Sequence, residues 1–467
     1  VESESEHQYS RMRAQEGRMG HDPSPGEEEA ACLRNAVLRR DPQADGGEEL
    51  IAHPQESCAN PGIVRLPLVK VPGSSVSGLG ISWIGLQSFC KQFKDQVRGK
   101  TTLQVRDKVI KSLTAAQKVS YAELEPGAFG EANVFVSHAW SYMFLEELVE
   151  SIGEWMIQQE RIPEGGWRFW IDIFIVNQHV DVPNEIDTAA AAKNFRTFSQ
   201  GFQEKLQQIG RAIFVLSPWD RPVWIFRVWC LYEYYVVYHY ELQYEFVMPP
   251  TQKERFIVAL GQDSSDFLGI VSKLDVEKAT AFSKYDETQI KNLVQTDLGG
   301  FSKLNELVIG AIREFCISES VGALCNMDDE QKATTDLLEN TADLLDDCGK
   351  VDAAEKYLLE SLSIKQALRG PEDESLGRTY TLLGVVNQRK GDYEESLKFH
   401  QMSLKIKILC HGTEHVSVAT TKKNIGIVYH NKGDPIAAKN YYKEAYDIYL
   451  RSLGPNHPDT QSLAPFI

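Results

Sequence analysis

Several signatures that would settle a function outright are missing from this chain. No G-x-G-x-x-G and no G-x-x-x-x-G-K-[ST] follows any strand-like run, which excludes a dinucleotide fingerprint and a nucleoside-triphosphate loop. No H-E-x-x-H occurs, and the eight cysteines (32, 58, 90, 230, 316, 325, 348 and 410) form no C-x-x-C pair, so no metal site is expected. Scattered in this way, they read as reduced thiols of an intracellular protein rather than as a disulfide framework. Excess positive charge is missing too. A net charge of -17 supplies no cations to displace counterions, which argues against nucleic acid or an anionic membrane as the main partner. No apolar run approaches the length of a membrane span and no signal peptide opens the chain, so a cytoplasmic location is expected.

What is present is ample for real cores: 42% hydrophobic residues in 467, enough for two or three domains. The segment through residue 78 is rich in Glu, Asp, Gly, Pro and Ser, with 13 acids against 6 bases up to Glu56. Such composition buries too little apolar surface to offset ordering entropy, so a disordered acidic tail is expected over 1–78. Residues 79–130 read as a helical lead-in, with a helix near 105–113 capped by Thr101 or Thr102. Because the chain begins at Val1 rather than Met and stops soon after a repeat boundary, it reads as a fragment of something longer.

From residue 131 to 318 strand and helix alternate. VFVSHAW (134–140) is a short β-branched and aromatic strand, and the residues after it carry an apolar helical stripe from Leu145 to Met156. WRFWIDIFIV (167–176) reads as a second buried strand, and 193–209 as a helix with Phe195, Phe198, Phe202, Leu206 and Ile209 on one face. The stretch RAIFVLSPWDRPVWIFRVWCLYEYYVVYHY (211–240) supplies a third strand, a turn, and a helix that is apolar nearly all round; YEFVMP (244–249) supplies a fourth strand. This alternation predicts a parallel sheet wrapped by helices, with function gathered at the carboxyl ends of the strands. The residues collected there are Ser137, His138 and Trp140, then Asp172 with Asn177 and Gln178, then Ser217 and Trp219. Adjacent strand residues point to opposite faces, so Ser137 and His138 are not a nucleophile and its base.

Glu233 is the only acid between Asp220 and Glu241, on a helix destined for the interior. Two readings are open. It is a buried ion pair with Arg211, Arg221 or Arg227, or it is a carboxylate at the rim of a cleft whose proton affinity is raised by desolvation.

The order VFVSHAW, WIDIFIVNQ, VLSPWDRPVWIFRVWCLYE resembles TIR domains, in which a late helix carries W-C-x-x-E; here these are Trp229, Cys230 and Glu233. WIDIFIVNQ also looks like the block of fungal heterokaryon-incompatibility domains. The resemblance spans roughly residues 130 to 318. It implies a TIR-like α/β fold and, since many TIR domains hydrolyse NAD, a catalytic role for Glu233, with NAD as substrate and no bound cofactor. Trp140, Trp219 or Trp229 would stack the bases, and Ser137, His138, Asp172 and Ser217 would line the site. The family's loop after the second strand falls on the acidic, alanine-rich 180–192, which does not align. The resemblance also implies self-association, and it admits a non-catalytic adaptor.

Beyond residue 330 the pattern changes to a repeat. Gly349, Gly391 and Gly433 recur every 42 residues, as do Gly370, Gly412 and Gly454. Ala342, Gly384 and Gly426 hold one small position, Ala354, Ser396 and Ala438 a second, and Tyr357, Phe399 and Tyr441 an aromatic one. Small residues let paired helices approach and aromatics fill between pairs, so an all-α tetratricopeptide-repeat solenoid of about three repeats is expected over 330–467. GTEHVSV and GPNHPDT resemble the inter-repeat loop of kinesin light chains. That resemblance implies a protein or peptide ligand on the array, and in its simplest form a protein that only binds other proteins.

Overall fold

The computed structural model describes residues 77–179, 188–262, 275–281, 283–297 and 300–467. The expected acidic tail lies outside the described residues apart from Ser77 and Gly78, and so does 180–187 of the acidic loop.

Among the described residues six strands make one sheet: β1 (Leu79–Ser82), β2 (Phe129–Glu131), β3 (Val134–Ser137), β4 (Arg168–Trp170), β5 (Arg211–Val215) and β6 (Gln243–Val247), in the order β2-β1-β4-β3-β5-β6. Strands β4, β3, β5 and β6 run parallel, while β1 is antiparallel to both β2 and β4. The sheet is therefore mixed, where an all-parallel one was expected. The lead-in is the reason: residues 79–131 contribute two strands as well as helices, β2 at the edge and β1 between it and β4. Leu79–Ser82 is only four residues long because Ser82 accepts from the Gly85 N–H and starts a helix at once. The expected helix near 105–113 does begin at Thr102, closed by a capping box between Thr101 and Gln104.

The longer helices are α1 (Trp83–Gln92), α2 (Glu150–Ile157), α3 (Thr188–Ile209), α4 (Val228–His239), α5 (Pro250–Leu260), α6 (Lys284–Asp297) and α7 (Phe301–Cys325). Alternation along the strands assigns them to faces. Phe135 and Trp170 meet Phe202 of α3 (ring centroids 5.3 and 6.1 Å), while Phe169 meets Trp83 of α1 and Trp155 of α2 on the other side (6.4 and 6.1 Å). Strand β3 is buried along its whole length, as a strand covered on both faces must be. One strand is shorter than its sequence suggested. The apolar run 167–176 pairs only over Arg168–Trp170, because Asp172 accepts the Ile173 N–H with its own carboxylate and Asp172–Ile175 closes into a single helical turn.

Among the described residues six longer helices follow in antiparallel pairs: α8 (Leu337–Asp347) with α9 (Val351–Arg369), α10 (Leu376–Lys390) with α11 (Tyr393–His411), and α12 (Val416–Asn431) with α13 (Pro435–Leu453). The two glycine registers end these helices. Gly370, Gly412 and Gly454 cap α9, α11 and α13 with φ of 90°, 83° and 87°, a backbone region that a Cβ would strain. The small register works by close approach. A Cβ at Gly384 would stand 2.4 Å from the His400 ring, and one at Gly426 would stand 2.6 Å from Tyr442.

Candidate functional site

Strands β4, β3, β5 and β6 stand in the order second, first, third, fourth by chain position, so the order reverses between β3 and β5. A doubly wound sheet opens a crevice at that point, beyond the carboxyl ends of the strands. Ser137 is the last residue of β3 and is almost fully buried. Its hydroxyl donates to a Glu233 carboxylate oxygen and accepts from the indole N–H of Trp224 at 2.7 Å. Glu233 reaches it from the middle of α4, whose other residues pack as Val228, Cys230, Leu231, Tyr232 and Tyr234 through Val237.

Asp172, beyond β4, joins the group. It accepts the indole N–H of Trp140 at 2.6 Å, and its other oxygen lies 3.6 Å from His138 Nε2. Two guanidinium groups face the same indole, Arg106 at 4.3 Å and Arg227 at 5.8 Å from the ring centroid. The cluster thus holds two carboxylates, one imidazole and two guanidinium groups, of which Asp172, Arg106 and Arg227 meet Trp140.

Of the two readings open for Glu233, an arginine ion pair is not what the structure contains. Arg211 turns to Gln159 and Gln243, Arg221 is exposed, and among the described residues no cation lies within 4 Å of the carboxylate. Removal from water drives the Glu233 pKa up to about 8; the Ser137 hydrogen bond pulls it down, the Asp172 charge pushes it up, and Arg227 offsets part of the rise. Glu233 as a residue keeps partial solvent exposure, while its carboxyl group is drawn inward against Ser137. Burial holds His138 below its ordinary range despite Asp172, so it stands neutral, with Nε2 lacking a hydrogen-bond partner. Cys230, buried and near Glu233, is pushed up and is no thiolate nucleophile.

The structure brings Ser137, His138, Trp140, Asp172 and Glu233 together. Three other residues singled out by sequence stand elsewhere. Ser217 donates to Glu147, in a buried knot with Tyr142 that ties the end of β5 to the chain after β3. Trp219 packs on Phe256 of α5, and Trp229 donates to Asp286 of α6 at 3.3 Å. Sequence reasoning missed Trp224 and Arg106. Trp224 sat inside an apolar run, and Arg106 comes from a helix outside the strand-helix alternation.

Comparison with a protein family bears on the carboxyl-terminal third. The tetratricopeptide repeat family matches residues 333–409 and 378–451, which cover α8 to α13. Those residues form tetratricopeptide repeats. The chain is similar to BtubC (BKLC) from P. vanneervenii, at 15% identity over 46% of this chain and 84% of that one, with a TM-score of 0.28. It is similar also to nearly identical TPR-like repeats from Podosopora anserina, described as a kinesin light chain, at 14% identity over 43% and 89% with a TM-score of 0.26. MamA protein aligns at 15% identity over 44% and 97%, with a TM-score of 0.25. No curated protein matches. The repeat assignment rests on the family match and on the helix pairs.

Proposed function

We propose that this chain is an intracellular signalling protein in which a tetratricopeptide array binds a protein ligand and a TIR-like domain cleaves NAD at Glu233. One observation carries the catalytic part. Glu233, Ser137 and Asp172 converge where the strand order reverses, the position at which such sheets bind ligands.

The chemistry suits a single carboxylate. Breaking the bond between nicotinamide and ribose leaves positive charge on the ribose anomeric carbon, while nicotinamide departs neutral from a cationic state and needs no general acid. Water then adds to that carbon and releases a proton. Glu233 would hold the ribose hydroxyls and face the developing charge. The bound cation itself would draw its pKa back down from about 8, so that substrate ionises its own catalytic group.

A binding-only reading gains from Trp219 and Trp229, both tied into neighbouring helices rather than standing free at the site. NAD consumption by the full chain, at high concentration or tethered to promote self-association, separates the two. The catalytic reading expects nicotinamide release that Glu233→Gln reduces by roughly a hundredfold or more. Equal turnover in parent and variant removes Glu233 from the mechanism. No turnover under either condition leaves a protein-binding scaffold.

A further inference from the structure

The repeats carry an internal comparison that points to a ligand class. In the first repeat Glu339 of α8 is fully buried and accepts from three groups: Lys365 and Ser361 of α9, the latter at 2.7 Å, and Thr379 of α10 at 2.7 Å, with Lys365 as its counter-ion. Each position recurs 42 residues later. Ser403 follows Ser361, Lys407 follows Lys365, Thr421 follows Thr379, and in place of Glu339 stands Thr381. Three donors are kept and the one acceptor carboxylate is exchanged.

The residues stay close together, with Ser403 and Thr421 now donating to the Gly377 and Ser417 carbonyls. Thr381 sits 2.8 Å from Ser403, and Lys407 Nζ donates to Thr381 at 2.9 Å and Thr421 at 3.0 Å. Among the described residues no carboxylate lies within ion-pair distance of Lys407, and burial alone lowers its pKa to about 8. Lys365 is sealed, with a side chain only 2% exposed, whereas Lys407 and Thr381 both keep partial exposure. The third repeat departs further, with Lys423, Ala445 and Tyr449 at these positions, so the arrangement belongs to the second repeat.

We propose that Lys407, Thr381, Ser403 and Thr421 form a binding position for a carboxylate on an acidic protein segment, the external counterpart of Glu339 in the repeat before it. This rests on reading the array as protein-binding and names the chemistry it selects. An Asp or Glu side chain entering beside Thr381 would meet a cation that has already lost much of its hydration. The hydroxyls of Thr381, Ser403 and Thr421 donate to the Gly377 and Ser417 carbonyls here and would turn to the incoming carboxylate, as Ser361 and Thr379 turn to Glu339.

Random peptides displayed on phage and selected on the full chain supply the probes. Each is re-made as a fluorescent synthetic peptide and as a copy with Asp and Glu changed to Asn and Gln. The expectation is acidic peptides that weaken roughly tenfold or more on amidation, on Lys407→Met and on Thr381→Glu. Thr381→Glu is the sharper variant. It keeps the cation, fills the position from within, and should melt no lower than the parent, so lost binding could not be blamed on misfolding. Peptides indifferent to amidation, or to both substitutions, would overturn this position while leaving the array a peptide binder. If selection yields no binder at all, the protein-binding reading falls and takes this position with it.

Discussion

A carboxyl group that holds its proton at neutral pH lowers stability whenever it is made to ionise, and Glu233 is such a group. Its folded pKa of about 8 exceeds an unfolded value near ~4.3, so the native state binds a proton that the unfolded state has lost. Stability therefore falls as pH rises between those values. Glu233→Gln removes the dependence and keeps an amide for Ser137. Thermal melts should show little difference between variant and parent near pH 4 and a growing advantage for the variant up to about pH 8. Because the residue keeps partial exposure, that advantage should be no more than about 3 kcal/mol. A difference that stays flat across this range would mean the carboxylate is solvated and its placement at the switch point is incidental. The same residues show how far sequence reaches. Ser137, His138, Asp172 and Glu233 were legible because polar groups at strand ends, or alone on an apolar helix, have few structural reasons to be there. Trp224 was not, since an indole within VWIF looks like core until its N–H is seen to meet Ser137.

Paired helices in the repeats are held by exchange of bulk across one contact, and the second pair carries a defect. Leu358 and Tyr442 occupy this position in the neighbouring repeats, but here it is His400, fully buried against Gly384 with neither ring nitrogen hydrogen-bonded. Burial, with Lys407 adding to it, lowers the His400 pKa to about 4. The unfolded state, titrating near ~6.5, then binds the proton first, so stability is lost as pH falls from there toward 4. His400→Leu should stabilise by about 1 to 2 kcal/mol at pH 7.5, and its advantage should widen in urea titrations at pH 5. An advantage that does not widen would place the imidazole in contact with water. Gly384→Ala acts in the opposite direction. Its new methyl meets the imidazole ring, and overpacking of this kind costs about 2 kcal/mol. Combining it with His400→Ala should recover most of that loss, which urea midpoints would report. At this scale the repeats were readable and the two antiparallel strands of the lead-in were not. A 42-residue period states the same constraint three times, whereas β1 and β2 are three or four residues long and owe their pairing to each other and to β4.

Across the described residues the sheet and the repeats share a boundary rather than a linker. Asn340 of α8 donates to the Leu260 carbonyl at the end of α5 and accepts from Arg378 of α10 at 2.6 Å, and the Asp336 N–H donates to Gly261 at 3.0 Å. Lys253 of α5 pairs with Glu319 of α7 at 2.7 Å, tying together two helices that precede the first repeat. Helix α8 is thus the opening helix of the array and the outer wall of the α/β part. That dual membership couples two folds that sequence reading divides near residue 318. A buried amide bridging both sides should be worth about 1 to 3 kcal/mol once its partners are left unsatisfied. Asn340→Ala is therefore expected to weaken the array and the sheet domain together. In hydrogen exchange, amide protection should drop in α10 and also in α5, by comparable free energies, and calorimetry of the parent should show one dominant transition across both regions. Loss of protection in α10 alone would mean that the repeats unfold on their own. Binding at Lys407 would then have no route to Glu233. Loss on both sides leaves that route in place, since ligand that stabilises the second repeat would also stabilise the wall against which α5 and the sheet are packed.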